Sequence, residues 1–291
     1  MSLPLRHVET SPNLPARADV VVIGGGIIGV FTAYYLAQRG MSVAVVEKGR
    51  IGAEQSSRNW GWCRQQNRDA RELPMSTRSL ELWDQFAADS GEDTGFKRCG
   101  LLYLSDDEAQ ISGWAQWREF AKTTGVTTHM LSGREASEHG RATGRAWKGG
   151  VFSPTDGTAD PAKAAPAVAA AIMKLGGTVH QNCAARGIEL EGGRVSGVVT
   201  EAGTVKTRIV VLAGGAWASS SLRYNKPQRL KPVSSPLSAA NCSHSSRLLV
   251  AMGSSRASRF CWRHQPQLRL DCSAPTRPFS TTATDRPRRA R

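Results

Sequence analysis

No apolar run in this chain approaches the roughly 18 residues that a membrane-crossing helix needs. Acidic residues are scarce at one end: residues 222–291 hold 2 Asp+Glu against 14 Lys+Arg. The first 221 residues hold 22 acidic and 24 basic, so the formal net charge of +14 comes almost wholly from the tail. The body therefore has the charge balance of an ordinary globular protein and not of a polycation. Cysteine is sparse as well. Cys63, Cys99, Cys183, Cys242, Cys261 and Cys272 form no CxxC pair, which argues against a disulfide framework and a zinc site. The histidines are scattered, so no metal site is expected. Residues 1–18 contain Pro4, Pro12 and Pro15 and no apolar leader core, and are expected to be a loose lead-in. A reduced, cytoplasmic chain fits these features, with attachment to the inner face of the membrane as a second option.

What is present begins at Asp19. The run Asp19-Val20-Val21-Val22-Ile23 is apolar and β-branched without alternation, as in a parallel strand covered on both faces. Gly24-x-Gly26-x-x-Gly29 follows and opens a helical stretch from Ile27 to Arg39, with Gly40 placed for a left-handed cap. A second strand, Ser42 to Val46, ends on Glu47. Gly24 permits the tight turn, Gly26 lets a diphosphate approach the backbone, and Gly29 lets the helix pack close to the sheet. The helix N-terminus offers N–H groups to phosphate. Glu47, about twenty residues on, is placed to accept both ribose hydroxyls and to disfavour a 2′-phosphate. The motif alone leaves FAD and NAD both open.

Further along, Ser56-Ser57-Arg58-Asn59-Trp60-Gly61 suits a loop whose backbone faces a ligand. A helix is expected over 74–88, packing through Met75, Ser79, Leu82, Trp83, Phe86 and Ala87. Ser105 and Glu108 read as a capping box, as do Ser132 and Glu135. Asp160 and Pro161 read as the N-cap and first position of another helix. Strands over 178–181, 185–190, 195–200 and 207–212 lead to Ala213-Gly214-Gly215-Ala216-Trp217.

Taken in order, these segments resemble the FAD-dependent amine and amino-acid oxidoreductases of the D-amino-acid oxidase superfamily. The D-amino-acid dehydrogenase, glycine oxidase and opine oxidase types are the nearest look-alikes, and the match covers roughly 18–221. The resemblance implies an α/β fold: a Rossmann-like FAD-binding domain with an inserted, here incomplete, α+β substrate domain. The segments would be 1–95 and 150–221 for FAD, 96–149 for the insertion, and 222–291 for a disordered basic tail. It implies FAD as cofactor. Glu47 would hold the ribose, Ser56 and Ser57 the pyrophosphate side, and the main chain at Ala185 the adenine. Ala213 and Gly214 would lie against the cofactor, and the loop from Asn59 to Arg64 would approach the flavin. Arg64 would pair a substrate carboxylate. The implied reaction oxidises the C–N bond of a D-amino acid, N-alkyl amino acid or opine-type amine to an imine, with oxygen or a respiratory chain as acceptor. No catalytic side chain is implied.

The tail breaks the pattern. Leu, Ile, Val and Phe make up 11 of the 70 residues in 222–291, too few for a core beside that charge. A shifted reading frame near codon 220 is the expected origin. The alternative is a non-catalytic nucleotide-fold protein whose basic tail meets nucleic acid or an anionic membrane. Nucleic acid is disfavoured, because the arginines are scattered and no recognition motif accompanies them. Without the family's closing segment, weak FAD retention and little turnover are expected.

Overall fold

A computed structural model of the protein describes residues 4–218 and the backbone of 247–250. The chain enters through β1 (Val20–Ile23), α1 (Ile27–Gln38) and β2 (Val43–Val46). Then come β3 (Trp62–Cys63), α2 (Leu73–Ser90), β4 (Leu101–Ser105), α3 (Glu108–Lys122), β5 (His129–Ser132) and α4 (Gly133–His139). β6 (Gly149–Ser153), β7 (Gly157–Thr158), α5 (Ala164–Lys174) and β8 (Thr178–His180) follow. A meander of β9 (Ala185–Glu191), β10 (Arg194–Thr200) and β11 (Gly203–Lys206) precedes β12 (Ile209–Leu212) and β13 (Arg247–Val250).

Five strands form a parallel sheet in the order β13-β12-β1-β2-β8. Its centre, β1, is apolar at every position because both faces are covered. Val20 and Val22 pack with Val30, Ala33, Val168 and Ile172 of α1 and α5. Val21 points the other way, among Ala44, Val46, Val198 and Val205 under the meander. A separate antiparallel sheet, β4-β6-β5, carries α3 and α4. β6 runs across the expected boundary at 149/150 and pairs with both β4 and β5. Gly149 and Gly150 are both buried, because neighbouring chain crosses there. A Cβ on Gly150 would meet the Tyr103 carbonyl at 2.6 Å.

Several local expectations shift. α2 packs through Leu73, Leu80 and Phe86, while Met75, Ser79 and Ala87 are exposed. The helix starts one residue before Pro74, and Leu73 is buried in that first turn. Asp107, not Ser105, caps α3, accepting from the Ala109 amide at 2.8 Å; Ser105 instead accepts from the Asp107 amide. Ser132 and Glu135 do form both halves of a capping box. Asp160 accepts from the Ala162 amide in a turn, and α5 begins three residues after Pro161. β13 lies in the stretch expected to be without structure. Its four residues pair in parallel with β12, a partner that local composition does not reveal. The remaining tail expectations fall outside the described residues.

Over its described part, residues 4–18, the lead-in is not loose. Val8 is buried, the Ser11 amide donates to the Val179 carbonyl at 2.7 Å, and Gln181 reaches the Val8 carbonyl at 2.7 Å. Arg6 and Lys174 clamp the Glu92 carboxylate at 2.5 and 2.7 Å. Burial raises the Glu92 pKa, but bonds from Lys174 and Arg6 outweigh it and hold the carboxyl below its ordinary 4.5. A depressed folded-state value makes the clamp's stability present above the unfolded value and lost as pH falls through the folded one. Glu92→Gln is therefore expected to cost about 1–2 kcal/mol at pH 7 and to cost progressively less below 4.5. Urea unfolding across pH checks this; a pH-independent difference would sink it.

Candidate functional site

The site forms where β1 turns into α1. Gly24 has φ +115°, and a Cβ on it would run into the Ala213 carbonyl. A Cβ on Gly29 would run into the Gly24 carbonyl. Both glycines are thus required by chain crossing chain. The turn is pinned on each side: the Gly24 amide donates to the Val46 carbonyl at 2.9 Å, and the Ala213 amide to the Ile23 carbonyl at 2.8 Å. The carboxyl ends of β2 and β12 therefore flank it, and Gly214 continues beyond Ala213 beside α1. In an open parallel α/β sheet, the crevice outside the carboxyl ends of the strands is where ligands bind.

Glu47 faces the turn. Its carboxylate accepts from the Gly25 amide at 2.6 Å and from the Gly49 amide at 2.8 Å. Its own amide donates to the His180 carbonyl, and its carbonyl accepts from Cys183, so β8 and the start of the meander fix its backbone. Ala185 stands at the beginning of β9, paired with Thr200 and two residues beyond Cys183. Gly26 is the N-cap of α1, and a Cβ there would meet the Ser56 hydroxyl at 3.3 Å. That hydroxyl accepts from the Ile27 amide at 2.8 Å, so a loop residue caps the helix in place of a local side chain. The sequence signal for Gly26 was room for phosphate; the Ser56 hydroxyl now shares that room.

The loop from Glu54 to Gln66 is tied down along its length. Ser57 donates to the Glu54 carbonyl at 3.2 Å within a 3-10 turn. Asn59 donates to the Ser56 carbonyl at 2.8 Å and accepts from the Gly61 amide at 2.7 Å. Its side chain thus shapes the loop. β3 pairs with β7, joining Trp62 to Thr158 and Cys63 to Gly157. Burial pushes the Cys63 thiol up to about 11, so it remains protonated at neutral pH. Arg64 is half-buried and donates to the Gln66 carbonyl. Trp60 stands 66% exposed at the loop tip.

Asp156 anchors the end of this loop. It is fully buried, and its two oxygens accept from the Gln65 and Gln66 amides at 2.7 and 3.1 Å. Burial raises its pKa, and the two amides only partly offset that. The sequence does not mark Asp156 as an anchor. Its partners are 91 and 90 positions away, so no local signal announces them. Lys48 was also missed: its ammonium stands 3.6 Å from the centre of the Trp217 ring and 3.5 Å from Glu54. Among the described residues no cluster of side chains fits a metal ion, and no helix is long and apolar enough to cross a membrane.

Comparison with known proteins gives three kinds of match. Residues 19–251 match the family model described as FAD dependent oxidoreductase (DAO), thirty residues beyond the expected limit at 221. The chain is 32% identical over 238 residues to the mitochondrial sarcosine dehydrogenase of Mus musculus, covering 79% of this chain and 25% of that one. It is 29% identical over 213 residues to glycine oxidase of Geobacillus kaustophilus, covering 70% and 56%. The L-amino acid deaminase of Proteus vulgaris superposes with a TM-score of 0.70 at 35% identity, over 74% of this chain and 52% of that one. The chain thus spans between a quarter and about half the length of these relatives.

Proposed function

The chain belongs to the FAD-dependent oxidoreductase (DAO) family, and from that premise we propose that it binds FAD at the β1–α1 turn and oxidises the C–N bond of an amino acid or N-alkyl amine. Its relatives act on sarcosine, glycine and L-amino acids by their names. For this chain we favour a D-amino acid, N-alkyl amino acid or opine-type substrate. The observation that carries the reading is the Glu47 carboxylate held 2.6 Å from the Gly25 amide, beside a turn that only Gly24 and Gly29 permit.

The residues fit the cofactor. Glu47 is placed for the adenosine ribose, with the main chain at Ala185 for the adenine. The first-turn amides of α1, with Gly26, Ser56 and Ser57, receive the diphosphate. Ala213 and Gly214 form the wall opposite β2. FAD supplies the two-electron acceptor for C–N oxidation. The protein's share is orientation and charge. Asn59 and Asp156 hold the loop from Asn59 to Arg64 in one shape toward the flavin. Arg64 is assigned to the substrate carboxylate: its guanidinium has five N–H donors, and the bond to the Gln66 carbonyl fixes its plane while leaving others for a carboxylate. An amine bound neutral needs no side-chain base. The electron acceptor in this reading is oxygen or a respiratory chain.

The test is spectroscopic. Protein purified with FAD added is expected to carry a flavin absorption band that an anaerobic panel of D-amino acids, sarcosine and opines bleaches selectively. Protein that takes up no flavin would refute the proposal and favour a non-catalytic nucleotide-fold protein. Bound flavin that no amine bleaches would refute the substrate class.

A further inference from the structure

A groove of about 440 Å³ opens between α1 and α2. That volume lies within the roughly 300–1,000 Å³ of small-molecule sites. From α1 come Tyr34, Tyr35, Gln38 and Arg39. From α2 come Arg78, Leu82, Phe86 and Asp89, which recur at helical spacing and so share one face. A helix of 12 residues is about 18 Å long, so the groove lies at the far end of α1 from the Gly24–Gly26 turn. Its floor is aromatic. Tyr34 and Phe86 are buried with ring centres 5.1 Å apart, and Tyr35 stands 5.3 Å from Tyr34.

The rim is charged, and two of its charges are uncommitted. Arg78 pairs with Glu81 at 2.6 Å. Arg39 and Asp89 are exposed, and among the described residues neither side chain has a hydrogen bond or an ion pair. They do not close on each other, so the groove presents one free cation and one free anion, one from each helix. The Tyr34 hydroxyl accepts from the Gln38 amide group at 2.9 Å, which leaves its own proton for a further acceptor. Burial first, and then the Asp89 charge, holds that hydroxyl above its ordinary 10, so it keeps the proton at neutral pH.

We propose that this groove binds an aromatic amino acid as its zwitterion, at a site separate from the crevice. Arg39 takes the carboxylate, Asp89 takes the ammonium group, and the ligand's ring lies on Tyr34, Tyr35 and Phe86. A zwitterion satisfies both free charges at once. An acid or an amine satisfies one and leaves the other unpaired. The proposal stands apart from the FAD reading, since no group in it touches the β1–α1 turn.

Calorimetric titration of the full chain, without added flavin, tests this with phenylalanine, 3-phenylpropionate and phenethylamine as probes. Phenylalanine is expected to bind about fivefold more tightly than the acid or the amine, the scale of one exposed charge pair. Arg39→Met is expected to weaken phenylalanine and phenylpropionate about fivefold and to leave phenethylamine unchanged. Asp89→Asn is expected to weaken phenylalanine and phenethylamine by a similar factor and to spare phenylpropionate. Both side chains are exposed, so neither exchange disturbs the core. Phenylalanine affinity unchanged in both variants overturns the proposal, because the amino acid then binds elsewhere. So does an equal loss toward acid and amine in either variant, which is the mark of a merely structural role. Unaltered protein that binds none of the probes overturns it as well, and flavin uptake then still decides the FAD reading by itself.

Discussion

Gly29→Ala is expected to abolish FAD binding and to lower the unfolding free energy by about 3 kcal/mol. The added carbon lands on the Gly24 carbonyl, which is backbone and cannot rotate away. Gly24 cannot retreat, because its amide is bonded to Val46 and the Ala213 carbonyl lies where its own Cβ would be. Relief therefore requires α1 to slide off the sheet. That motion moves the first-turn amides and strips Glu47 of its Gly25 partner. Fold and cofactor site fail together because one close approach serves both. Gly113→Ala is the control: it lies inside α3, and its Cβ would meet nothing within 4 Å. It should hold or slightly raise stability. Thermal unfolding and titration with added FAD, each beside the unaltered protein, are the measurements. A Gly29→Ala protein with wild-type melting and full flavin would sink the account of the turn.

Asp156→Ala is expected to cost about 3–4 kcal/mol and to free the loop from Asn59 to Gln66. It leaves two buried amides, those of Gln65 and Gln66, without acceptors, and each such orphan costs about 1–3 kcal/mol. The loop keeps its pairing with β7, so the structure loosens at one end and does not dissolve. Amide exchange should rise most at Gln65 and Gln66, and substrate affinity should fall with it through Arg64. The pH dependence carries a distinctive sign. Burial raises the folded-state pKa of Asp156 above 3.8, so the native protein binds the proton more tightly than the unfolded chain. Its contribution to stability is therefore greatest below 3.8, declines as pH rises to the folded value, and is flat above it. Against Asp156→Asn, the native protein should gain ground as pH falls through that window, opposite to the Glu92 clamp. Exchange that stays slow at Gln65 and Gln66 in Asp156→Ala would sink the anchoring role.

The contrast between these two residues tracks what sequence carries. Gly29 announces itself, because a glycine at fixed spacing after a buried strand marks the place where helix backbone must touch strand backbone. Glu47 is legible on similar grounds: strand, turn, helix and strand have nearly fixed lengths, so residue number converts into position. The capping box at Ser132 is equally local, since donor and acceptor lie three residues apart. Helix starts are less legible. Ser105 and Asp107 are both good caps two residues apart, and only backbone geometry chooses Asp107. Of the expected α2 stripe, Trp83 and Phe86 pack against Phe31 of α1, whereas Met75 is apolar yet 71% exposed; what packs is decided by where α1 lies.

By itself the sequence determined the parallel sheet's central strand, the glycine turn, the acid beside it and the two-sided apolar burial that make a dinucleotide crevice. These follow from short-range sterics and from periodicity, which act within about thirty residues. Tertiary structure alone decided that Ser56 caps α1, that Asp156 holds Gln65 and Gln66, that the lead-in docks on β8, that β13 joins β12, and that Lys48 reaches Trp217. Each joins groups distant in the chain, and a polar group carries no mark of a partner that only folding brings within hydrogen-bonding reach.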